Sequence, residues 1–501
     1  MRYTDLHVHV SLKTMLGKGS DSGYSCWKEV NVSGAIDFIS RNTFDSQSSL
    51  SQMARGNCSI AVAALYPLET KLADVDLLQI LARLVEDRKF ANKRLQDIKH
   101  HKWTSFNYAN DELDHILSDQ LHTIDGKQKR LKVLSNWTDF NPGDPDTLHI
   151  VFTLEGGHSL TYGRNENADI SKMLENLRHF RRRIPLLYFT MAHMQQMVFA
   201  NHAYGMKSAG KYYFVPRGSG LTDHGRKLID ECYTDRQGKK VLVDVKHMSL
   251  RSRFDFYMYR KQMEYENIPI IASHVGVTGI SKDNHRFIKK LVQPFLRKFY
   301  KLVHQQVPGM IEGTFFNPST INMYDEDIVE ILKSDGIIGI SFDIRIIGGK
   351  HRPPKEFMSS YEEYLFNSTT DSDLIVSNNE ADFQDEEGDD NLFEENEIEI
   401  AGDKGVLHFA NQVLHILRTG NTAGIDATNH IAIGTDFDGL IASLPEVPDA
   451  SMMPEFAEKL IKVFERCNLQ TFTSDNALDL VEKIMNKNTE RFIERWIKNL
   501  Y

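Results

Sequence analysis

The stretch Ile268-Pro269-Ile270-Ile271-Ala272-Ser273-His274 decides the reading of the fold. It is short and almost continuously apolar, as a strand buried on both faces of a parallel sheet must be. A helical pattern over 253–266 precedes it, and it ends in a histidine. Comparable runs lie at 3–10, 59–65, 149–154, 184–190, 241–247, 336–342 and 430–435, which makes eight in all. Helical periodicity occupies 74–99, 222–233, 253–266, 325–334 and 405–418. Eight strands alternating with helices predict an α/β fold, a TIM (β/α)8 barrel with insertions. Residues 100–148 fit the alternation poorly and are read as an added helical piece. Residues 453–497 read as two helices on the outer wall.

The chain has 501 residues, 41% hydrophobic and 26% charged, which is ordinary globular usage. Length alone would allow about three domains, but barrels with insertions run past about 400 residues. The whole of 1–501 is therefore read as a single barrel. Between 371 and 399 there are 13 Asp or Glu in 29 residues and no Lys or Arg. Such a stretch buries too little apolar surface to offset its ordering entropy. Residues 351–405 are accordingly read as an acidic, partly mobile insertion.

A net charge of −10 argues against a nucleic-acid partner. No apolar run reaches the roughly 18 residues of a membrane span, and the N-terminus has no apolar leader. Cys26, Cys58, Cys232 and Cys467 show no CxxC pairing, which fits a reducing, cytoplasmic setting better than a disulfide framework. Gly17-Lys18-Gly19 does not follow a strand and is read as a flexible loop beside the site rather than a phosphate cradle. The expected partner is a small molecule, with homodimerisation left open.

Polar residues fall at one end of the apolar runs. The first run carries His7 and His9, the third leads into Glu155-Gly156-Gly157, and the fourth leads to His193. The fifth ends in His247, the sixth in His274, and the eighth leads to Asp436. In a barrel of this kind the reacting groups come from the C-terminal ends of the strands. His7 and His9 are two apart, so on a strand both rings face the same side and can share a metal. His247 and His274, on neighbouring strands, could hold a second ion, with Glu155 bridging. Independent structural histidines have no reason to share one rim. His158, His202, His224 and His285 lie off the strand ends and are read as core, surface or supporting residues.

Several motifs, in order, resemble the membrane (renal) dipeptidase-like metallopeptidases of the amidohydrolase superfamily. They are Leu154-Glu155-Gly156-Gly157-His158, Tyr188-Phe189-Thr190-Met191-Ala192-His193, Gly220-Leu221-Thr222-Asp223-His224-Gly225, Val243-Asp244-Val245-Lys246-His247-Met248-Ser249, Pro269-Ile270-Ile271-Ala272-Ser273-His274 and Ile433-Gly434-Thr435-Asp436-Phe437-Asp438-Gly439. The resemblance implies two zinc ions, one held by His7, His9 and Glu155 and the other by Glu155, His247 and His274. It implies that His193 contacts the substrate or its developing oxyanion and that Asp436 moves the proton. The expected reaction is cleavage of a peptide or other amide bond by a metal-bridging hydroxide. A non-dipeptide substrate, or a barrel that binds metal without catalysis, are the alternatives.

Two positions depart from the family pattern. His9 stands where the family has an aspartate, which removes one negative charge. Thr278 stands where the family has a carboxylate-gripping arginine, and a hydroxyl cannot make that bidentate clamp. Arg286 and Arg345 are the candidate substitutes.

Overall fold

The computed structural model describes residues 1–17, 19–20, 23–32, 43, 45–75, 78–79, 82–83, 85, 87–161, 169–205, 214–235, 239–284, 287–291, 299–349, 355–362 and 403–501. Eight parallel strands form its centre: β1 (Tyr3–Val8), β2 (Cys58–Leu65), β3 (Thr147–Glu155), β4 (Leu186–Thr190), β5 (Leu242–Asp244), β6 (Ile270–Val275), β7 (Ile337–Ile340) and β8 (Ile431–Ile433). They pair in sequence order from β1 to β8. The seam between first and last strands is drawn together at the C-terminal end. Asp436 N–H donates to His7 O and His9 N–H to Phe437 O, both at 3.0 Å. Every residue of all eight strands is buried, which is why each apolar run is nearly unbroken.

Helices cover the outside: α1 (Leu50–Arg55), α2 (Ser105–Ser118), α3 (Ile170–Arg183), α4 (Asp223–Tyr233), α5 (Leu250–Gln262), α6 (Asp325–Lys333), α7 (Lys404–Thr422) and α8 (Met453–Arg466). The start of α5 is fixed by Ser249, whose hydroxyl accepts from Ser252 N–H. That cap stands two residues beyond His247, so it also sets where the β5 loop ends. The outer wall is completed by Ala477–Glu482 and Asn488–Ile497.

The architecture agrees with the reading from the eight runs; the additions to it were less legible. Within 74–99 the described α-helix spans only Arg88–Lys99, after a short 3-10 turn at Leu72–Asp74. Residues 100–148 hold α2 and also a hairpin, Leu121–Ile124 with Lys127–Val133, whose second strand pairs in parallel with the start of β3. Lys355–Ser359, inside the segment read as an acidic insertion, is a strand paired with Phe299–His304, which pairs in turn with Phe287–Leu291. Residues 363–402, like Lys18, His285 and Arg286, lie outside the described residues. Among the described residues no helix is long and apolar enough to cross a membrane.

Candidate active site

Two strand ends place their side chains by leaving ordinary backbone geometry. His247 follows β5 with φ 63°, and Asp436 follows β8 with φ 61°. Left-handed backbone costs a non-glycine residue roughly 1–3 kcal/mol, so the surrounding contacts must hold it there. Gly156 (φ 82°) does the same after β3, and there a Cβ would stand 2.4 Å from the His158 ring. Only glycine lets Glu155 and His193 approach one another with His158 packed behind them.

The strand ends converge. The Glu155 carboxylate has the Nε2 atoms of His9 at 3.2 Å, His247 at 3.4 Å, His274 at 3.5 Å, His7 at 3.6 Å and His193 at 3.7 Å. Asp436 joins from the other side, its Oδ1 3.3 Å from His9 Nε2 and 3.9 Å from His7 Nε2. His247 and His274 bring their Nε2 atoms within 3.2 Å of each other. Three sets of donor atoms are close enough to share an ion: His7, His9 and Asp436; His7, Glu155 and His274; Glu155, His193 and His247. All residues expected at the site are thus in one place. Asp436 and His193, expected to act on protons and substrate, also stand among the prospective ligands.

The protein fixes several of these rings from behind. Tyr188 Oη donates to Leu6 O at 2.9 Å, so it accepts from His7 Nδ1 at 2.7 Å. Ser273 Oγ donates to Asp244 at 2.7 Å and accepts from His274 Nδ1 at 2.8 Å. His193 Nδ1 meets Glu69 Oε1 at 2.5 Å. For His7 and His274 the proton sits on Nδ1 and the bare Nε2 lone pair points at the centre, as metal coordination requires, while His193 is held through Nδ1 with its Nε2 edge turned inward. The Nδ1 atoms of His9 and His247 have no hydrogen-bond partner among the described residues.

The electrostatics fit the same picture. Burial disfavours charge on His9, but Asp436 and Glu155 outweigh it and push the pKa up to about 10. Burial works against an ionised Glu155 too, yet the charges of His7 and His193 hold it well below the usual carboxylate range. Burial, then the charge of His193, pushes His247 well down. For His274 burial and then His7 do likewise. A cluster of imidazoles around one carboxylate has too few protons to satisfy every lone pair. His7 Nε2 and Glu155 Oε2 are buried with no hydrogen-bond partner among the described residues. Such orphaned acceptors are costly unless something cationic meets them. Imidazole nitrogens and carboxylate oxygens are suitable donors for divalent zinc, so the residues present fit the metal that the sequence implies.

Supporting residues were the least legible. Glu69 and Tyr66, which orient His193, stand in the loop after β2 and are 100 or more positions from it. Asp5 and Asp244 point into the barrel one layer below the site. Asp5 takes the backbone N–H groups of His7 and Thr435, and burial raises its pKa to about 6. The period-two spacing of Asp5 with His7 was the available signal. Of the discounted histidines, His158 is buried behind His193, His202 is buried against Phe214, and His224 is exposed on α4. Thr278 Oγ1 bonds Ile280 O and Met323 O. Arg345 stands on the loop after β7, gripped by Asp343.

The probable dipeptidase PvdM from Pseudomonas aeruginosa is 14% identical and superposes with a TM-score of 0.53, covering 100% of this chain and 96% of its own. At that identity the likeness speaks to the fold alone. A metallo peptidase from Rhodobacter sphaeroides, liganded with a phosphinate mimic of the dipeptide L-Ala-D-Ala, is 14% identical with a TM-score of 0.49 and 99% of both chains covered. No curated protein sequence matches. The sequence pattern of the membrane dipeptidase family, peptidase family M19, matches residues 20–288 and 315–491. With most of its length matched, the chain belongs to the membrane dipeptidase family, peptidase family M19, and is a hydrolase of peptide bonds.

Proposed function

We propose that the protein cleaves the amide bond of a dipeptide or similarly small substrate, using two divalent ions, zinc in the first instance. The observation that carries this is the position of Glu155, whose carboxylate lies within 3.7 Å of five histidine Nε2 atoms. Bare imidazole lone pairs and a carboxylate this close repel one another, and divalent cations among them would satisfy the whole set. His7 and His9 would hold one ion and His247 and His274 the other, with Glu155 shared. When bound, the ions supply a water nucleophile at neutral pH and a charge that polarises the scissile carbonyl.

The remaining chemistry belongs to the chain. Asp436 is the most accessible of the site carboxylates, its side chain 15% exposed against 2% for Glu155. In this reading it accepts the proton from water and returns it to the leaving nitrogen. His193 Nε2 faces the centre while Glu69 holds Nδ1, so its ring presents a fixed edge to the substrate's developing oxyanion. Burial opposes charge on this ring, but Glu69 and then Glu155 raise its pKa, favouring the protonated donor that role needs.

The test is to assay purified protein loaded with zinc or manganese on a panel of dipeptides, with metal content measured in parallel. Two equivalents of metal, with turnover lost to a chelator and restored by metal, are expected. Absence of turnover on every amide would overturn the reading.

A further inference from the structure

The end of the barrel opposite the candidate site gathers positive charge that the proposed chemistry does not use. A cavity of about 210 Å³ opens where β4 and β5 begin, between the last turn of α3 and the segment entering β5. Arg181, Arg182, Arg183, Lys239 and Lys240 line it, and no carboxylate does. Trp496 forms part of the wall, its Nε1 donating to Lys240 O at 2.8 Å. In a chain of net charge −10 this grouping runs against the overall balance.

The side chains are held in place, but their charges are only partly answered. Arg181 Nη2 donates to Thr234 O at 2.9 Å and to Lys239 O at 2.6 Å. Glu231 lies 3.8 Å from Arg181 but is already engaged by Arg178, and Asp114 pairs with Arg183 at 2.5 Å. Lys240 Nζ donates to a main-chain oxygen of Tyr501 at 2.8 Å. Lys239 Nζ donates to Ser135 O at 2.9 Å and stands 5.2 Å from the centre of the Trp496 ring. A carbonyl and a ring orient an ammonium without cancelling its charge. Burial lowers the Lys239 pKa from its ordinary value, and no carboxylate offsets that. Arg182 is exposed and has no hydrogen bond or ion pair among the described residues.

A helix dipole favours basic residues in the last turn, which accounts for Arg181, Arg182 and Arg183 at the end of α3. It does not account for Lys239 and Lys240, which come from another segment and line the same space. The volume lies below the roughly 300–1,000 Å³ of sites for drug-sized ligands, so it suits a small anion. Guanidinium and ammonium donors converging from two segments match a phosphate, with its several oxygens and double charge, better than a monovalent ion.

We propose that this basic cavity at the N-terminal ends of β4 and β5 binds a phosphoryl dianion, either inorganic phosphate or the phosphate of a small monoester. It is separate from the cluster around Glu155 and does not depend on the hydrolase reading.

Isothermal titration of the metal-loaded full chain with inorganic phosphate and with O-phosphoserine tests it and separates the two sources. Saturable binding of at least one of them is expected, and it should persist when chloride is added at matched ionic strength. Phosphate can also meet a metal centre, so variants locate the site. Arg182→Gln and Lys239→Gln should each weaken binding about tenfold or more, with metal content unchanged. Thermal unfolding reports whether Lys239→Gln folds; Arg182→Gln removes no contact within the described residues and keeps the test decisive. Tighter binding of O-phosphoserine assigns the monoester, and equal or tighter binding of phosphate assigns the free ion. No saturable binding of either, displacement by chloride, or an affinity unchanged in Arg182→Gln would overturn the proposal.

Discussion

His7 Nδ1 and Tyr188 Oη are 2.7 Å apart, and the phenol passes its own proton to Leu6 O. The tyrosine is thus an acceptor toward His7 and decides which ring nitrogen stays bare. Tyr188→Phe removes that acceptor with little change of volume. Metal affinity should fall by about 10–100-fold, the usual consequence of losing a ligand's outer partner. Competition with a chromophoric chelator measures it; unchanged affinity would show that the tautomer is fixed by something else.

Asp436→Asn tests proton transfer. The amide keeps the shape and lacks the basicity, so turnover should fall by about 10²–10⁴-fold with metal stoichiometry retained. Loss of one metal equivalent instead would make Asp436 chiefly a ligand, consistent with its place beside His7 and His9.

His9→Asp restores the carboxylate found at this position in the family. The new charge would face Glu155 and Asp436, now 3.2 and 3.3 Å from the imidazole. Without metal, three crowded carboxylates should destabilise the fold by about 1–3 kcal/mol. Added zinc should recover more stability in this variant than in wild type. Thermal shifts with and without metal read both numbers.

A pH dependence follows from His202. It is buried, its Nε2 bonds Phe214 O at 3.0 Å, and burial lowers its pKa from 6.5 to about 4. Between those values the unfolded chain binds the proton and the folded chain does not. Its contribution is therefore complete above pH 6.5 and is lost as pH falls toward 4. Between pH 7 and pH 4.5, His202→Gln should lose about 2–3 kcal/mol less stability than wild type in urea unfolding. Parallel losses in the two proteins would exclude this residue as a source of acid sensitivity.

The deepest ion pair offers a stability test away from the chemistry. Arg253 on α5 meets Asp327 on α6 with two bonds of 3.0 and 2.9 Å, and both side chains are fully buried. Arg253 also holds Met248 O at 2.9 Å, one residue past His247. Arg253→Met strands Asp327 and should cost about 3–5 kcal/mol. A milder loss would mean that water enters to solvate the carboxylate.

The barrel was readable because its strands are buried on both faces, which leaves runs such as 268–274 with almost no polar interruption. The ligands were readable because each falls just past such a run. The strands at Phe287–Leu291, Phe299–His304 and Lys355–Ser359 were not. All three carry lysines, and Phe299–His304 is half-buried and pairs with Lys355–Ser359 across more than fifty residues, so no continuous apolar run marks them. Glu69 was hidden for a related reason. A carboxylate in a loop acquires a role only through the fold that brings His193 against it, and nothing within its own neighbourhood in sequence signals that contact.

The backbone seam between the two ends of the sheet has a consequence for biosynthesis. Two of the five prospective ligands sit at residues 7 and 9, and their strand is stitched to the segment of Asp436 and Phe437 by two backbone hydrogen bonds. A chain still emerging from the ribosome has its first histidines long before the last strand can close the sheet around them. Metallation must therefore wait until nearly the whole polypeptide has been made, and a fragment ending before the last strand would bind ions through scattered imidazoles rather than at a shared centre.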